Sequence, residues 1–368
     1  MISGRRRHSF LLRKSALIRT YIKTAMFSAL AAFASTTHAD DELLQRPEVQ
    51  SYIDQLVGTQ DFNRTDLTAV FQKITPKPNI IAVLDKPSTS RPWYEFRNGF
   101  MSPQRIIGGA RFMRRYHDTL AEVEDRYGVP PEIVTSIIGV ETLYGRNTGS
   151  FRVIDALSTI AFNYPRRADY FKDQLTQFLL LAREENQDPF TFMGSYAGAM
   201  GMPQFMPSSF RQYAVDWNGD HHRDIWGTPE DAIASVANFL AASGWQRGGK
   251  GYVGVNVTGD EQELLADKFN LHYTMAELMQ RGVQPITEVD TQQQAVLFAL
   301  ETTAGVTNYY AGFNNFYVVT RYNRSTLYAT VVYQLADAIK TAYDANDDLQ
   351  PDPTPKPKAK PTSKKKHK

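Results

Sequence analysis

Cysteine is absent from all 368 residues. Disulfides, thiolate nucleophiles, cysteine-ligated metals and lipid attachment at a cysteine are therefore excluded. No continuous apolar run approaches the ~20 residues that a membrane-spanning helix requires, so no transmembrane anchor is expected. No repeat of 20–50 residues is visible, which excludes a solenoid. Positive charge is scarce in the body of the chain: residues 40–350 hold 27 Lys and Arg against 38 Asp and Glu, a net of −11. An acidic body argues against a nucleic-acid partner. The formal +2 of the whole chain comes from its two ends.

Those ends do not read as fold. Arg5, Arg6, Arg7, Arg13, Lys14, Arg19 and Lys23 precede an apolar run near 25–33, and Thr37-His38-Ala39 offers small residues at the positions a signal peptidase reads. Residues 1–39 are thus expected to be an export signal. The tail 348–368 is a Pro-Lys segment that cannot bury a core and is expected to be disordered. The product should be a soluble periplasmic protein, acting as a monomer.

Between the ends the pattern is mainly helical. Ser102-Pro103 opens a run in which Ile106, Ala110, Met113, Tyr116, Leu120, Val123 and Tyr127 recur every three or four positions, predicting one long amphipathic helix. Further helices are predicted at about 131–144, 151–162, 167–186, 228–242 and 326–345. Around 248–321 the segments GYVGVNVTG, AVLFALET and NFYVVTRYN are rich in β-branched and aromatic residues, with a short helix near 274–281. The fold class is mainly α (α+β), with a small β-rich subdomain inserted into a helical core. The expected boundaries are 40–128 for an N-terminal helical domain, 129–247 for a catalytic core, 248–321 for the insertion and 322–347 for a returning helix.

Glu141 carries the chemistry. In VPPEIVTSIIGVETLYGRNTG it is the one acid on the apolar stripe of Val134, Ile137 and Ile138. Pro130 and Pro131 suit a helix start and Gly145 a stop, so Glu141 falls in the last turn, where the macrodipole opposes negative charge. Desolvation and dipole together raise its pKa toward that of a general acid. The competing reading is a Glu whose stem packs on the core while its tip reaches solvent.

The motifs VPPEIVTSIIGVETLYGRNTG, FNYPRR, GSYAGAMGMPQFMPSSF, YAVDWNGD, DAIASVANFL and RYNRSTLYA, in this order, resemble the B-type lytic murein transglycosylases over roughly 90–340. The resemblance implies a lysozyme-like helical core with a flanking helical segment and a small β domain. It also implies action on peptidoglycan glycan strands, cleaving the β-1,4 bond between N-acetylmuramic acid and N-acetylglucosamine and leaving a 1,6-anhydro ring. Glu141 matches the family's single acid and base, and no cofactor is implied for catalysis. Ser195 and Gln204 in the Gly- and Pro-rich loop, Arg166 and Arg167, and with them Tyr322, Asn323 and Tyr328, match substrate-binding positions. For the loop residues the alternative is a turn whose hydroxyl and amide satisfy backbone groups; for the arginines it is a solvated helix start. Phe96 departs from the pattern, standing where relatives often have Tyr.

Asp216, Asn218 and Asp220 give the D-x-N-x-D opening of a calcium loop, and the resemblance implies a structural Ca2+ there, with His222 and Asp231 in the set. The second half departs from the standard loop, since His221 replaces the usual Gly and Gly227 the closing Glu. A metal-free polar turn is the alternative. Two rivals to the enzymatic reading remain, a hydrolytic muramidase on the same fold and a non-catalytic peptidoglycan-binding protein.

Overall fold

The computed structural model describes residues 43–85, 91–259 and 261–345. The expected export signal at 1–39 and the Pro-Lys tail at 348–368 lie outside the described residues. Three short helices lead in: α1 (Pro47–Gln60), α2 (Arg64–Phe71) and α3 (Pro78–Leu84). Their apolar residues Ile53, Leu56, Phe71 and Ile80 are buried in the same continuous core that holds Ile137, Leu157 and Leu335. The segment then passes through α4 (Trp93–Asn98) into the first long helical stretch.

That stretch is two helices, α5 (Pro103–Arg115) and α6 (His117–Tyr127), which corrects the single helix expected from periodicity. Ser102 caps the first through its side chain, an interaction worth about 1 kcal/mol. Tyr116 leaves helical geometry at φ −111° and ψ 29°, although hydrogen bonds run through it from Tyr116 N to Phe112 O and from Leu120 N to Tyr116 O. The two halves keep one apolar periodicity but serve different partners. Helix α5 packs on α7 (Pro131–Thr142) and α15 (Thr326–Ala345), whereas α6 packs on α11 (Pro229–Ala242). A straight rod cannot follow both surfaces.

Behind α7 stand α8 (Val153–Asn163) and α9 (Ala168–Glu184), packed closely together, then α10 (Pro207–Tyr213). Two short strands, β1 (Phe151–Arg152) and β2 (Met193–Gly194), pair antiparallel at their edge. The inserted segment forms an antiparallel sheet in the order β4-β6-β7-β3-β5. Its strands are β3 (Tyr252–Val257), β4 (Tyr273–Thr274), β5 (Val283–Pro285), β6 (Gln294–Thr303) and β7 (Val306–Gly312). Both faces are covered, which is why β6 reads as a near-continuous apolar run. Phe298 and Leu300 point into the main core, while Ala295 and Leu297 point into a second core beneath α12 (Glu261–Ala266) and α13 (Met275–Gln280).

The stretch NFYVVTRYN corrects a second expectation. It is not a strand but helix α14 (Asn314–Tyr322). Its β-branched residues Val318 and Val319 are buried beside Phe316 and Thr320, so packing on α15 and α11 overrides local propensity.

Candidate active site

Helix α7 has almost no polar face: every residue from Ile133 to Val140, and Thr142, is buried. Ser136 satisfies its hydroxyl internally, donating to Val332 O at 2.7 Å. Glu141 alone breaks this surface, only partly exposed. Its carboxylate Oε1 accepts a hydrogen bond from the Tyr328 hydroxyl of α15 at 2.6 Å. Burial pushes its pKa up to about 7, with the Tyr328 hydrogen bond pulling the other way. Tyr322, at the end of α14, stacks near-parallel on Tyr328 with ring centroids 6.4 Å apart. Burial and the neighbouring Glu141 hold both phenols well above their ordinary pKa. Both hydroxyls are therefore hydrogen-bond donors at neutral pH.

The chain leaves α7 through three left-handed residues in a row, Leu143 (φ 51°), Tyr144 (φ 61°) and Gly145 (φ 81°). For the two non-glycines this costs about 1–2 kcal/mol each. Tertiary packing holds the turn. The Tyr144 ring fills a slot that only glycines permit: a Cβ on Gly139 would lie 2.5 Å from its hydroxyl oxygen, and one on Gly109 2.6 Å. That hydroxyl donates to Arg105 O at 2.7 Å, and Arg105 Nε donates to Gly139 O at 2.9 Å. Thr142 Oγ1 meanwhile accepts from Gly145 N at 3.0 Å and donates to Met202 O at 2.9 Å. Glu141 is thus fixed from both sides. The sequence reading missed Thr142, Tyr144 and Arg105; the only local signal was a tyrosine directly before Gly145.

The Met202 bond brings the Gly-rich loop to Glu141. Ser195 Oγ accepts from Ala197 N at 3.3 Å and Ala199 N at 3.0 Å, which leaves its proton to donate outward. Gln204, itself left-handed at φ 52°, donates through Nε2 to Gly201 O at 2.8 Å and Thr148 O at 3.3 Å. Its amide oxygen remains to accept. Tyr322 closes the arrangement by donating to Pro203 O at 2.5 Å. The structure therefore brings Glu141, Tyr322, Tyr328 and the Ser195–Gln204 loop together, through hydrogen bonds from Tyr328 to Glu141, from Thr142 and Tyr322 to the loop, and through the stacked tyrosine rings.

The remaining residues stand elsewhere or stand looser. Arg166 pairs with Asp85, just past α3, and lies over Tyr164, and Arg167 lies over Tyr170 and Phe171. Asn323 is exposed just past α14. Phe96 packs between Trp93 and Phe100, in ring contact with both.

In the acidic loop, Asp216 accepts from Gly219 N, Asp220 N and His221 N, Asn218 accepts from Asp220 N, and Asp220 from His222 N. Asp231, fully buried, accepts from Trp217 N at 2.8 Å and Asp224 N at 2.9 Å. Among the described residues no three acids or histidines converge as a metal cluster. The oxygen-donor chemistry of these residues fits calcium, although in this arrangement the oxygens of Asp216, Asn218, Asp220 and Asp231 all accept from main-chain N–H groups.

The transglycosylase SLT domain model matches residues 45–337. The membrane-bound lytic murein transglycosylase B of Escherichia coli (strain K12) is 41% identical over 311 residues, covering 82% of this chain and 85% of that protein. Among solved structures, the catenated lytic transglycosylase SltB1 from Pseudomonas aeruginosa superposes with a TM-score of 0.78 at 42% identity, over 81% of this chain and 98% of that one. The Escherichia coli lytic transglycosylase Slt35 in complex with calcium gives 0.75 at 41% identity, over 82% and 95%. With the family model matched over residues 45–337 and relatives 41–42% identical over about four fifths of the chain, the chain belongs to the transglycosylase SLT domain family.

Proposed function

We propose that this protein is a peptidoglycan lytic transglycosylase, cleaving the β-1,4 bond between N-acetylmuramic acid and N-acetylglucosamine. The observation that carries the reading is Glu141 itself, a carboxyl with a pKa near 7, held by Tyr328 and with no second carboxylate among the causes of its shift. Asp155, the next acid along the chain, is tied to Arg152 and Thr75 instead. Glycosidases that use water canonically employ two carboxylates. One suffices here if the substrate supplies the rest.

Glu141, protonated, gives its proton to the glycosidic oxygen as the C1–O bond breaks. The substrate's acetamido oxygen supports the cation developing at C1. The C6 hydroxyl of the same sugar then attacks C1, and its proton returns to the Glu141 carboxylate. No water is consumed, and a 1,6-anhydro ring results. Ser195 donates and Gln204 accepts toward the sugar, Tyr322 and Asn323 flank it, and Arg166 and Arg167 offer guanidinium groups to stem-peptide carboxylates. Mass spectrometry of digested peptidoglycan tests the reading: anhydro ends are expected, reducing ends would indicate a muramidase, and no digestion a binding protein.

The periplasm is the compartment that fits both this substrate and the export signal read in residues 1–39. A structural calcium in the loop from Asp216 to Asp231 completes the reading. A relative binds calcium, and Asp216 adds to the burial that raises the Asp231 pKa, a repulsion that a cation relieves. With its oxygens already holding main-chain donors, the site belongs in the weak range of about 10⁻⁴–10⁻³ M. Calorimetry of metal-stripped protein should show binding in that range, together with a calcium-dependent rise in Tm. No heat of binding at millimolar calcium would remove the ion from the account.

A further inference from the structure

A cavity of about 430 Å³ opens beside β2, the strand that leads into Ser195, walled in part by Phe192, Met193, Phe210, Arg223, Asp224 and Trp226. Its volume falls within the range of small-molecule sites. Trp226 is locked as its platform. The indole Nε1 donates to Met193 O at 2.7 Å, the main-chain N donates to Asp224 Oδ1 at 2.9 Å, and the ring rests on Phe192 and Phe210 at 5.5 and 6.0 Å between centroids. Such a ring loses no rotamer freedom when something stacks on it.

Of the charges around the cavity, one acid is ion-paired and two are held by neutral donors. Glu185 pairs with Arg223, whose guanidinium also lies 4.9 Å from the Phe210 ring centroid. Asp220 accepts from His222 N and from Asn218 Nδ2. Asp224 accepts from Trp226 N and Gly227 N. An anionic ligand would therefore meet carboxylates, whereas a neutral polyhydroxyl ligand would find acceptors. The cavity thus offers an aromatic face with hydrogen-bonding groups at its edge, Gln187 and Thr191 with the carboxylates of Asp220 and Asp224. A pyranose ring matches that chemistry, with an apolar C–H face for the indole and hydroxyls for the rim.

The cavity is also placed to meet a chain already bound at Ser195. Met193 and Ser195 are two residues apart across the end of β2, about 7 Å in extended backbone. The surface near that strand carries two exposed apolar side chains, Met193 at 37% and Tyr196 at 42%. We propose that the Trp226 cavity is a second saccharide site, which holds a sugar of the same glycan strand beyond the Glu141–Ser195 cleft. This rests on the glycan-cleaving reading of that cleft. Its role is to favour long strands over short ones by adding contact area without touching the reacting bond.

Peptide-free glycan strands of four and eight sugars, titrated calorimetrically into the Glu141→Gln protein so that nothing is cut, test the proposal. The eight-sugar strand should bind about 5-fold to 10-fold more tightly. Adding Trp226→Ala should erase that difference while leaving four-sugar affinity intact, and Trp226→Phe should keep most of it. An undiminished length preference in Trp226→Ala overturns the second site. Equal weakening of both strands overturns it as well, because the loss would then come from a disturbed β2. If neither strand binds the Glu141→Gln parent, the cleft reading itself fails, a pattern distinct from either of the others.

Discussion

Asp155 and Glu141 sit on successive helices of one apolar core, and the more deeply buried of the two is the one without chemistry. Asp155 is fully buried on α8, yet it accepts from Thr75 N at 2.9 Å and Arg152 Nε at 2.6 Å, with Lys77 Nζ 3.9 Å away. Two cations and a main-chain donor make its negative charge part of the structure, fastening the N-terminal segment to α8. Glu141 is less buried and has only a neutral phenol as partner. Depth alone does not make a proton donor. What matters is whether the surroundings compensate the charge, and around Glu141 they do so only slightly, so the proton stays on until about neutral pH.

Neutralising each acid in turn should break or sharpen this contrast. The largest effect is expected for Glu141→Gln, which should lower kcat on peptidoglycan by about 10²–10⁴-fold or more, since both the acid and the base step use this group. Substantial turnover by the purified variant would sink the assignment. The same variant should be more stable than the parent at high pH. Because the folded pKa of Glu141 lies above the ordinary 4.5, its favourable contribution is complete below about pH 4.5 and is lost as pH rises through about 7. Denaturant titrations should find parent and Glu141→Gln alike near pH 4, and the variant ahead by about 3 kcal/mol near pH 8.5. A constant difference at both pH values would refute the raised pKa.

Asp155→Asn should behave in the opposite sense. It leaves Arg152 and Lys77 without their carboxylate, so unfolding free energy should fall by about 2 kcal/mol, while cleavage measured well below Tm is unchanged. Selective loss of activity in the folded variant would make Asp155 a second functional carboxylate and weaken the single-acid mechanism. The smallest effect belongs to Tyr328→Phe. Its hydroxyl stabilises ionised Glu141, so its removal should move the alkaline limb of the kcat/KM profile upward by roughly one pH unit. A limb that stays in place would show that the phenol positions the carboxyl without tuning it.

Much of this architecture could be read locally. The expected helix over 326–345 coincides with α15, and those near 131–144 and 228–242 differ from α7 and α11 by a residue or two at their ends. Periodicity failed where two partners competed for one helix, at Tyr116, and where burial overrode β propensity, at Val318 and Val319. The reading of Glu141 needed only the stripe of Val134, Ile137 and Ile138, because four residues of α-helix suffice to place a side chain on a face.

The sequence by itself determined that a solitary carboxyl would end an apolar helix in a chain without thiols, since composition and helical spacing are properties of neighbouring residues. Tertiary structure decided what that carboxyl would meet. Tyr328 reaches it from 187 positions away, the glycine slot that fixes Tyr144 draws on two helices, and Thr142 ties the helix end to the Ser195–Gln204 loop. Such contacts depend on how helices stack across the whole chain, and a shift of one helical turn would leave every local pattern intact while moving each partner by about 5.4 Å.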